Sequence, residues 1–509
     1  MQNFNYKVGI IYPNKFKGGI ACLATHVLNE NLRKYDNIHT GVYFIENYNI
    51  VKNSDAIIIT LQYENDYFNA IRIINELKKT NPNAKFIAGG PCAIANPIPL
   101  LYFFDYFVIG EIEGSDVMYD LITLNNDDLK DKYYSKEQKS GILISSDIID
   151  LFEHSKLYAN TNGKNNNSNS NNNNNNNNNN TNDNEILDEE YYIELSRIID
   201  KIKKENTIKR IYPKKLGLDD YPIEQITHKD GAYGKAFLLE IGRGCPRRCK
   251  FCMAKCIYHP PRYRKLDDLK YLIDEGLKQT DADKVALIAP SVSDYKHVLE
   301  LCQYIKDKDV KISPSSLRAD TLTDELLEIL QLKSLTIAPE AGSQRMRDTI
   351  CKDVSKEDIL NAVDISKKFG INTVKLYYMV GFKGETKEDI EDIINLTKEI
   401  KEKVRKVDVS INPMIPKPHT PFESHPFDIG GKKKIKTIEK ELKKYKVSVD
   451  YENFNSMIAQ TILCRGDFEI SEALKSVNNV NELIKAVDKD VYLCEYDEEE
   501  MPWKFIQIN

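Results

Sequence analysis

Residues 236–264 read AFLLEIGRGCPRRCKFCMAKCIYHPPRYR, a short apolar run followed at once by a loop rich in cysteine and arginine. Within the loop, Cys245, Cys249 and Cys252 form the pattern C-x3-C-x2-C. Three thiolates on one loop can occupy three corners of a [4Fe–4S] cubane, whereas holding all four irons through the protein would take a fourth cysteine. The spacing therefore predicts a cluster whose fourth iron is open to a small ligand.

An open iron can chelate the amino and carboxylate groups of S-adenosylmethionine (SAM), so that an electron from the cluster releases a 5′-deoxyadenosyl radical. The alternative is a zinc site in which Cys256 or His259 completes a set of four ligands. Zinc ribbons usually pair two C-x2-C knuckles, which this stretch does not do. Cys256 has three interpretations: a small packing residue, a fourth ligand when SAM is absent, or a thiol near the radical.

The segments after residue 231 predict the barrel that carries this loop. Short apolar runs recur six times up to residue 430, with amphipathic segments between them. This alternation favours a (β/α)6 partial TIM barrel, in which chemistry lies at the carboxyl ends of the strands. The predicted strands lie in AFLLEIGRG, KVALIAPS, KISPSSLRA, SLTIAPEAG, TVKLYYMVGF and KVDVSINPM, and helices are predicted near Lys265–Leu277, Lys296–Lys306, Thr323–Gln331, Lys356–Phe369 and Lys387–Lys401.

Four regions are predicted along this α/β chain. Residues 1–125 alternate apolar runs with amphipathic segments and predict a Rossmann-like parallel sheet domain. Residues 126–230 are predicted as a linker, whose asparagine tract at 160–184 has no apolar side chains to bury and is expected to be disordered. The partial barrel spans 231–430, and 431–509 are expected to form a small C-terminal α/β extension that caps it.

Charge and hydropathy argue against several partners. The chain has 71 Lys and Arg against 77 Asp and Glu, a net charge of −6, so nucleic acid is not indicated. The start of the chain lacks the long apolar core of a secretory signal, which predicts a cytoplasmic protein. The apolar stretch Phe86–Gly110 contains three prolines and Asp105, so no membrane partner is expected.

Polar side chains at later strand ends are candidates for binding SAM. Ser293 follows the second predicted strand, Arg318 the third and Glu340 the fourth. A guanidinium can clamp a carboxylate, and a glutamate can accept hydrogen bonds from ribose hydroxyls or an ammonium group. The alternatives are local: a helix cap at Ser293, and an internal pair of Glu340 with Arg318 or Arg345 that closes the barrel mouth.

A glycine turn follows the fifth predicted strand in MVGFKGETKEDI. Gly381 and Gly384 permit positive φ angles and a close approach of the backbone, which would suit an adenine edge bound by the main chain. Glu385 and Thr386 lead into the next helix, so the same motif is also a good helix N-terminus. Its place in the series of strand ends favours a cofactor-binding turn.

These motifs, in this order, resemble radical SAM proteins with an N-terminal cobalamin-binding-type domain, especially bacterial and archaeal members with a cluster loop similar to GRGCPRRCKFC. Further similar stretches are SVSDY, SPSSLRAD, APEAGSQRMRD, GFKGETKEDI and PKPHTPFE. The resemblance implies an enzyme with a [4Fe–4S] cluster and SAM, an unknown substrate, and a reducing electron donor such as ferredoxin or flavodoxin. Carried over by position, the metal ligands would be Cys245, Cys249 and Cys252, and the cofactor-binding residues Ser293, Arg318, Glu340, Gly381, Gly384 and Glu385.

The N-terminal region is similar to cobalamin-binding modules in AGGPCAIANP and VIGEIEG, where glycine turns at strand ends could admit a large cofactor. It departs from them because no D-x-H-x-x-G motif follows the first strand, and His26 lies inside the next predicted helix. Cobalamin binding, and a sheet domain without cobalamin that shapes the substrate entrance, are both left open.

Two other functions compete with this interpretation. A tRNA methylthiotransferase would need a second cluster held by three N-terminal cysteines, and residues 1–150 contain only Cys22 and Cys92. A non-catalytic protein that binds zinc, an iron–sulfur cluster or nucleic acid is the other alternative, and metal analysis separates a zinc protein from the enzyme.

Overall fold

The computed structural model describes residues 5–135, 139–153, 196–205, 207–218, 220–497 and 501–508. The asparagine tract that is predicted to be disordered, 160–184, lies outside these residues. Within them, no helix combines the length and the apolar character that crossing a membrane requires.

The N-terminal region contains the strands β1 (Tyr6–Ile11), β2 (Ile38–Tyr43), β3 (Ala56–Thr60), β4 (Lys85–Gly89), β5 (Tyr106–Val108), β6 (Lys139–Ser140) and β7 (Ile142–Ile144). Six of them form a sheet in the order β2-β1-β3-β4-β5-β7. The first five are parallel, and β7 is an antiparallel edge strand. Every residue of β3 is buried, as is usual for a parallel sheet covered by helices on both faces. The predicted Rossmann-like sheet is confirmed.

The strand order of this sheet reverses between β1 and β3. In open parallel sheets, ligands bind at the carboxyl ends of the strands near such a reversal. Gly89 is the last residue of β4, Gly90 follows it, and Gly110 lies just beyond β5. The glycine turns noted in the sequence therefore lie on the edge of the sheet where a ligand is expected.

The remaining strands are β8 (Ile208–Lys209), β9 (Ala236–Glu240), β10 (Gly242–Arg243), β11 (Arg262–Tyr263), β12 (Lys284–Ile288), β13 (Lys311–Pro314), β14 (Leu335–Glu340), β15 (Thr373–Val380), β16 (Lys406–Pro413), β17 (Ser448–Asp450) and β18 (Ile506–Gln507). The six predicted barrel strands are β9 and β12 to β16. They form two parallel sheets, β13-β12-β9 and β14-β15-β16-β17, and no pairing joins β13 to β14 among the described residues. One hydrophobic core, which includes Leu239, Leu287, Ile337, Leu376 and Ile411, spans both sheets. The two sheets thus share one interior, as expected for an open partial barrel.

The helices between these strands begin where local sequence favours a helix start. Ser355 and Thr386 each form a capping box, with Asp358 and Asp389 three residues later. The main α-helices of the chain are Leu23–Arg33, Tyr67–Thr80, Pro91–Ala95, Val117–Thr123, Asn126–Tyr133, Ser145–Glu153, Met253–Ile257, Leu266–Gln279, Val298–Lys306, Asp324–Leu330, Gln344–Thr349, Lys356–Lys368, Lys387–Lys403, Gly431–Lys443, Phe454–Arg465, Phe468–Ala473, Val480–Ala486 and Lys489–Leu493.

The C-terminal extension contacts both of the larger units. Its strand β17 pairs in parallel with β16 and so continues the barrel sheet. Its later helices share a core with the N-terminal sheet, in which Phe468 stacks on Phe152 with ring centroids 4.3 Å apart. The extension, expected from sequence to cap the barrel, also joins the barrel to the N-terminal sheet.

Candidate functional site

The cysteine loop leaves the first barrel strand and is closed by a short stem. Strand β10 pairs antiparallel with β11, so the loop 244–261 begins and ends at one point. Gly244 has a φ of +78°, and a Cβ added there would lie 2.3 Å from the carbonyl oxygen of Tyr258. Only glycine fits this position, because both the φ angle and the close approach exclude a side chain.

The three thiols of the predicted ligand set lie within electrostatic range of one another. Burial raises the pKa of each thiol. Cys249 also raises the pKa of Cys245, Cys252 raises that of Cys249, and Cys245 raises that of Cys252. Since metals bind thiolates, cationic neighbours are needed to favour the charged form.

Such cations are present beside the loop. Arg318 lowers the pKa of both Cys245 and Cys249, and Lys352 lowers that of Cys249. Glu340 has the opposite effect and raises the pKa of Cys249 and Cys252. The structure therefore brings the predicted residues Arg318 and Glu340 to the cysteine loop and adds Lys352, which sequence patterns do not single out.

The described residues contain no group of three or more His, Cys, Asp or Glu side chains gathered so that one metal ion could bind. A zinc site needs about four ligands around a single ion. This finding applies to a zinc site and to the three-cysteine cluster alike, so the zinc alternative, with Cys256 or His259 as the last ligand, stays open. Ligation of a cluster by Cys245, Cys249 and Cys252 fits the donor type and stays a prediction.

Glu340 and Lys352 form a nearly buried ion pair at the end of β14. The Nζ of Lys352 lies 3.1 Å from Oε1 of Glu340, and the two side chains are 11% and 14% exposed. Burial raises the pKa of Glu340, although Lys352 and Arg318 oppose the shift. Glu340 has a φ of +68°. Left-handed backbone is uncommon for glutamate and often marks a functional position.

Arg318 does not form the ion pair with Glu340 that was one alternative from sequence. Its Nε donates to Oδ1 of Asp320 at 2.9 Å, and its NH2 donates to the carbonyl oxygens of Lys352 and Asp353, each at 3.1 Å. Arg318 thereby fixes the turn that presents Lys352. Lys352 was missed because its position depends on this turn, in which Cys351 and Asp353 have left-handed backbone.

Ser293 joins the ends of β12 and β13. Its hydroxyl accepts hydrogen bonds from the backbone N–H of Arg318 at 3.1 Å and from the hydroxyl of Thr321 at 2.6 Å. The neighbouring Asp294 accepts from Nε of Arg247, a residue of the cysteine loop, at 3.0 Å. Ser293 is thus placed at the predicted edge of the barrel, where it supports the strand ends, and binding of SAM by its hydroxyl stays a prediction.

The glycine turn after β15 also reaches the cysteine loop. Phe382 in the turn lies 6.3 Å, between ring centroids, from Phe251, which stands between Cys249 and Cys252. Glu385 accepts from the backbone N–H of Gly381 at 2.9 Å and pairs with Lys434 at 2.6 Å. Its side chain is 2% exposed, so its carboxylate holds the turn in shape.

A cavity of about 440 Å³ lies between the N-terminal sheet and the barrel. The lining includes Gly90 and Gly110 from the sheet edge, Arg243 from the loop stem, and Tyr258 from the end of the cysteine loop. None of the described residues that line it is a histidine. His26 is buried in its helix, with Nε2 3.0 Å from the carbonyl oxygen of Ile20, and burial lowers its pKa.

Comparison with known proteins identifies the class. The sequence matches the family described as Radical SAM superfamily over residues 239–397, and the family described as Radical SAM proteins, N-terminal, over residues 23–143. The chain belongs to the radical SAM superfamily and is an enzyme of that superfamily, which uses a [4Fe–4S] cluster and SAM. The resemblance to radical SAM proteins inferred from sequence is confirmed, and the cobalamin-binding character of the N-terminal region stays a prediction.

Within the superfamily, the chain is 53% identical to the uncharacterized protein MJ0966 of Methanocaldococcus jannaschii, over 96% of this chain and 95% of that protein. It is 29% identical over 181 residues to ribosomal protein uS12 methylthiotransferase RimO of Thermosipho africanus, over 32% of this chain and 41% of that protein. The solved structure of the radical S-adenosylmethionine methyltransferase TsrM from Kitasatospora setae aligns with a TM-score of 0.51 and 13% identity, over 82% of this chain and 75% of that one. The last likeness shows a shared fold.

Proposed function

We propose that the chain cleaves SAM reductively and uses the resulting radical to remove a hydrogen atom from a substrate. The cluster would supply one electron to the sulfonium, so that the sulfur keeps the bonding pair as methionine leaves and C5′ keeps the unpaired electron. Transfer of a substrate hydrogen atom to C5′ gives 5′-deoxyadenosine. The observation that supports the proposal is the loop 244–261, which carries Cys245, Cys249 and Cys252, is closed by the pairing of β10 with β11, and lies near the charged groups of Arg318, Lys352 and Glu340.

The charged groups at the barrel mouth complement the ends of SAM. Lys352 and Arg318 are cations that favour a carboxylate, and Glu340 can accept from an ammonium group or a ribose hydroxyl. The turn at 381–384 offers main-chain groups beside the aromatic rings of Phe251 and Phe382, where an adenine could stack. These residues bind and orient the cosubstrate, while the cysteine loop places the electron donor.

The electron must come from outside the chain, and an acidic ferredoxin or flavodoxin fits the surface of the cysteine loop. The side chain of Arg248 is 73% exposed, and its distances to Asp353 are 3.3 Å or more, so it is held loosely. Lys250 lies two residues further along the loop. Arg248, as an exposed cation beside the half-buried Lys250, would speed the association of an acidic donor.

Anaerobic reconstitution followed by iron and sulfide analysis tests the ligand set. We expect about four iron and four sulfide per chain, and 5′-deoxyadenosine after SAM and a reductant are added. Cys249→Ser should lose both the cluster and the product, because one of three ligands is removed. Cys256→Ser is the matched control, since Cys256 lies four residues after Cys252 on the adjoining short helix but outside the predicted ligand set.

Two results would contradict the proposal. Stoichiometric zinc in place of iron would support the binding protein. Loss of metal in Cys256→Ser as complete as in Cys249→Ser would mean that four protein thiolates leave no open iron.

Methyl transfer with cobalamin is a second candidate, favoured by the cavity beside the cysteine loop. Cobalamin, if bound, would carry a transferable methyl group on cobalt. The lining of the cavity is largely apolar, and Gly90, with a φ of +99°, lets the backbone of β4 approach Leu61 closely. Equilibrium dialysis of hydroxocobalamin against the anaerobic protein, read by its visible spectrum, tests this form of the function. Absence of binding at saturating cofactor would remove it and leave SAM cleavage untouched.

A further inference from the structure

One carboxylate of the N-terminal domain accepts hydrogen bonds from three arginines. Glu111 lies just beyond β5, and its side chain is 3% exposed. Its Oε1 lies 3.0 Å from NH1 of Arg210 and 2.8 Å from NH2 of Arg262. Its Oε2 lies 2.8 Å from NH1 of Arg243 and 2.9 Å from NH1 of Arg262. Both oxygens are thus fully used, and no water is needed to satisfy them.

Two of these arginines form the stem of the cysteine loop. Arg243 lies in β10, two residues before Cys245, and Arg262 lies in β11, where the loop ends. Arg262 also donates to the carbonyl oxygen of Pro260 at 3.0 Å, within the returning part of the loop. A single carboxylate from another domain therefore holds both ends of the segment that carries the three cysteines.

The third arginine, Arg210, links Glu111 to the C-terminal segment and to the cysteine loop. Arg210 donates through Nε to the carbonyl oxygen of Ile508 at 3.1 Å and through NH2 to that of His259, inside the cysteine loop. Its side chain is fully buried. Glu111 thus lies where the N-terminal sheet, the chain terminus and the cysteine loop meet.

The number and type of charged residues in this network indicate that it positions the cysteine loop. Four arginines, with Arg264 included, face only three glutamates, because Glu113 and Glu240 complete the set. Burying ions is costly, and well-packed apolar residues would often be as stable or more stable. The planar forks of arginine instead fix direction and distance, which apolar contacts do not. A precisely held loop is what a cluster needs in order to meet SAM.

We propose that Glu111 is a positioning residue through which the N-terminal domain sets the orientation of the cysteine loop. Its effect on the cluster rests on the proposed function, whereas its effect on the loop does not. Glu111, Glu113 and Arg243 also line the 440 Å³ cavity, so any ligand there touches the network that holds the loop. Mutation of residues that orient metal ligands without touching the metal typically lowers activity or metal affinity by about 10- to 100-fold.

The test compares Glu111→Gln with Glu64→Gln. Glu64 is the matched control because it is also a buried carboxylate of the N-terminal domain, paired with Lys417 at 2.6 Å and with Gln460 at 2.9 Å. In the cluster-free chain, hydrogen–deuterium exchange is measured at hydrogen-bonded amides in the loop and just after its stem. Examples are the amide of Lys250, which donates to the carbonyl oxygen of Ile350, and that of Arg264, which donates to that of Ile241. We expect exchange there to rise about tenfold or more in Glu111→Gln and to stay at the wild-type rate in Glu64→Gln.

The reconstituted protein gives a second reading. Removal of the Glu111 charge leaves more positive surroundings, which favour the reduced cluster, so its midpoint potential should rise and its electron paramagnetic resonance signal with SAM should change. Arg262→Lys keeps the charge but loses the fork, and should loosen the loop in the same way if Glu111→Gln does not fold. Equal exchange and equal spectra in Glu111→Gln and Glu64→Gln would overturn the proposal. Wild-type protein that fails to cleave SAM would refute the proposed function alone, since the exchange experiment would still decide the role of Glu111.

Discussion

Replacing Lys352 by methionine should weaken the binding of SAM to the reconstituted protein. The substitution keeps most of the side-chain volume and removes the cation that lies 3.1 Å from Glu340. In the proposed site, Lys352 is a cation that favours the carboxylate of SAM, and a hydrogen bond to a charged partner contributes about 1.5–3 kcal/mol. The dissociation constant for SAM should therefore rise by roughly 10- to 100-fold, since about 1.4 kcal/mol corresponds to a factor of ten.

The same change should also destabilise the fold. Glu340 would lose the partner that opposes the effect of burial, so its pKa would rise further. The free energy of unfolding should fall by about 1–3 kcal/mol, the cost of leaving a buried polar group without its partner. Protonation of Glu340 would limit that loss, which makes it smaller at low pH than at neutral pH.

Lys356→Met is the control for this prediction. Lys356 lies four residues away and forms an ion pair with Glu399 at 2.7 Å, but the two side chains are 48% and 37% exposed. Exposed pairs contribute about 0–1 kcal/mol, so this variant should bind SAM normally. Binding is measured by anaerobic calorimetry of reconstituted protein, and unfolding by urea on the cluster-free chain. Equal SAM affinity in the two variants would refute the assignment of Lys352 to the SAM site.

Two further predictions concern backbone and charge. Gly244→Ala should prevent formation of the cluster, because the new Cβ would lie 2.3 Å from the carbonyl oxygen of Tyr258. Gly217→Ala is the control and should take up iron normally, because no atom lies within 4 Å of the added Cβ. Equal iron contents in the two variants would contradict the prediction for Gly244. Asp66→Asn should stabilise the cluster-free chain at pH 7 by roughly 2 kcal/mol. Burial raises the pKa of Asp66 from 3.8 to about 6, so folding favours the protonated carboxyl. The free energy of unfolding that the protonated carboxyl adds is fully present below pH 4 and is lost as the pH rises through 6. Urea unfolding between pH 4 and 7 should show that the free energy of unfolding falls with rising pH more steeply in the wild type than in Asp66→Asn. Equal dependence on pH in the two proteins would show that Asp66 does not titrate in this range.

The elements that depend on contacts between neighbours in sequence could be predicted before the fold was known. The six barrel strands lie where apolar runs recur, and the helix predicted for Lys356–Phe369 is observed as Lys356–Lys368. Its start is fixed by the capping box of Ser355 and Asp358, a contact between neighbours in sequence. The cysteine spacing likewise identified the class of enzyme, because cluster ligation by one loop is a local property.

The pairing of distant charged groups is a property of the folded chain and could not be predicted from the sequence. The sequence offered Arg318 as a partner for Glu340, but two left-handed residues turn the chain so that Lys352 takes that place. The sequence around Glu111 does not predict its three arginine partners, which come from segments about 100 to 150 residues away. Ion pairs of this kind depend on how strand ends converge in space, and the periodicity of a sequence carries no information about such convergence.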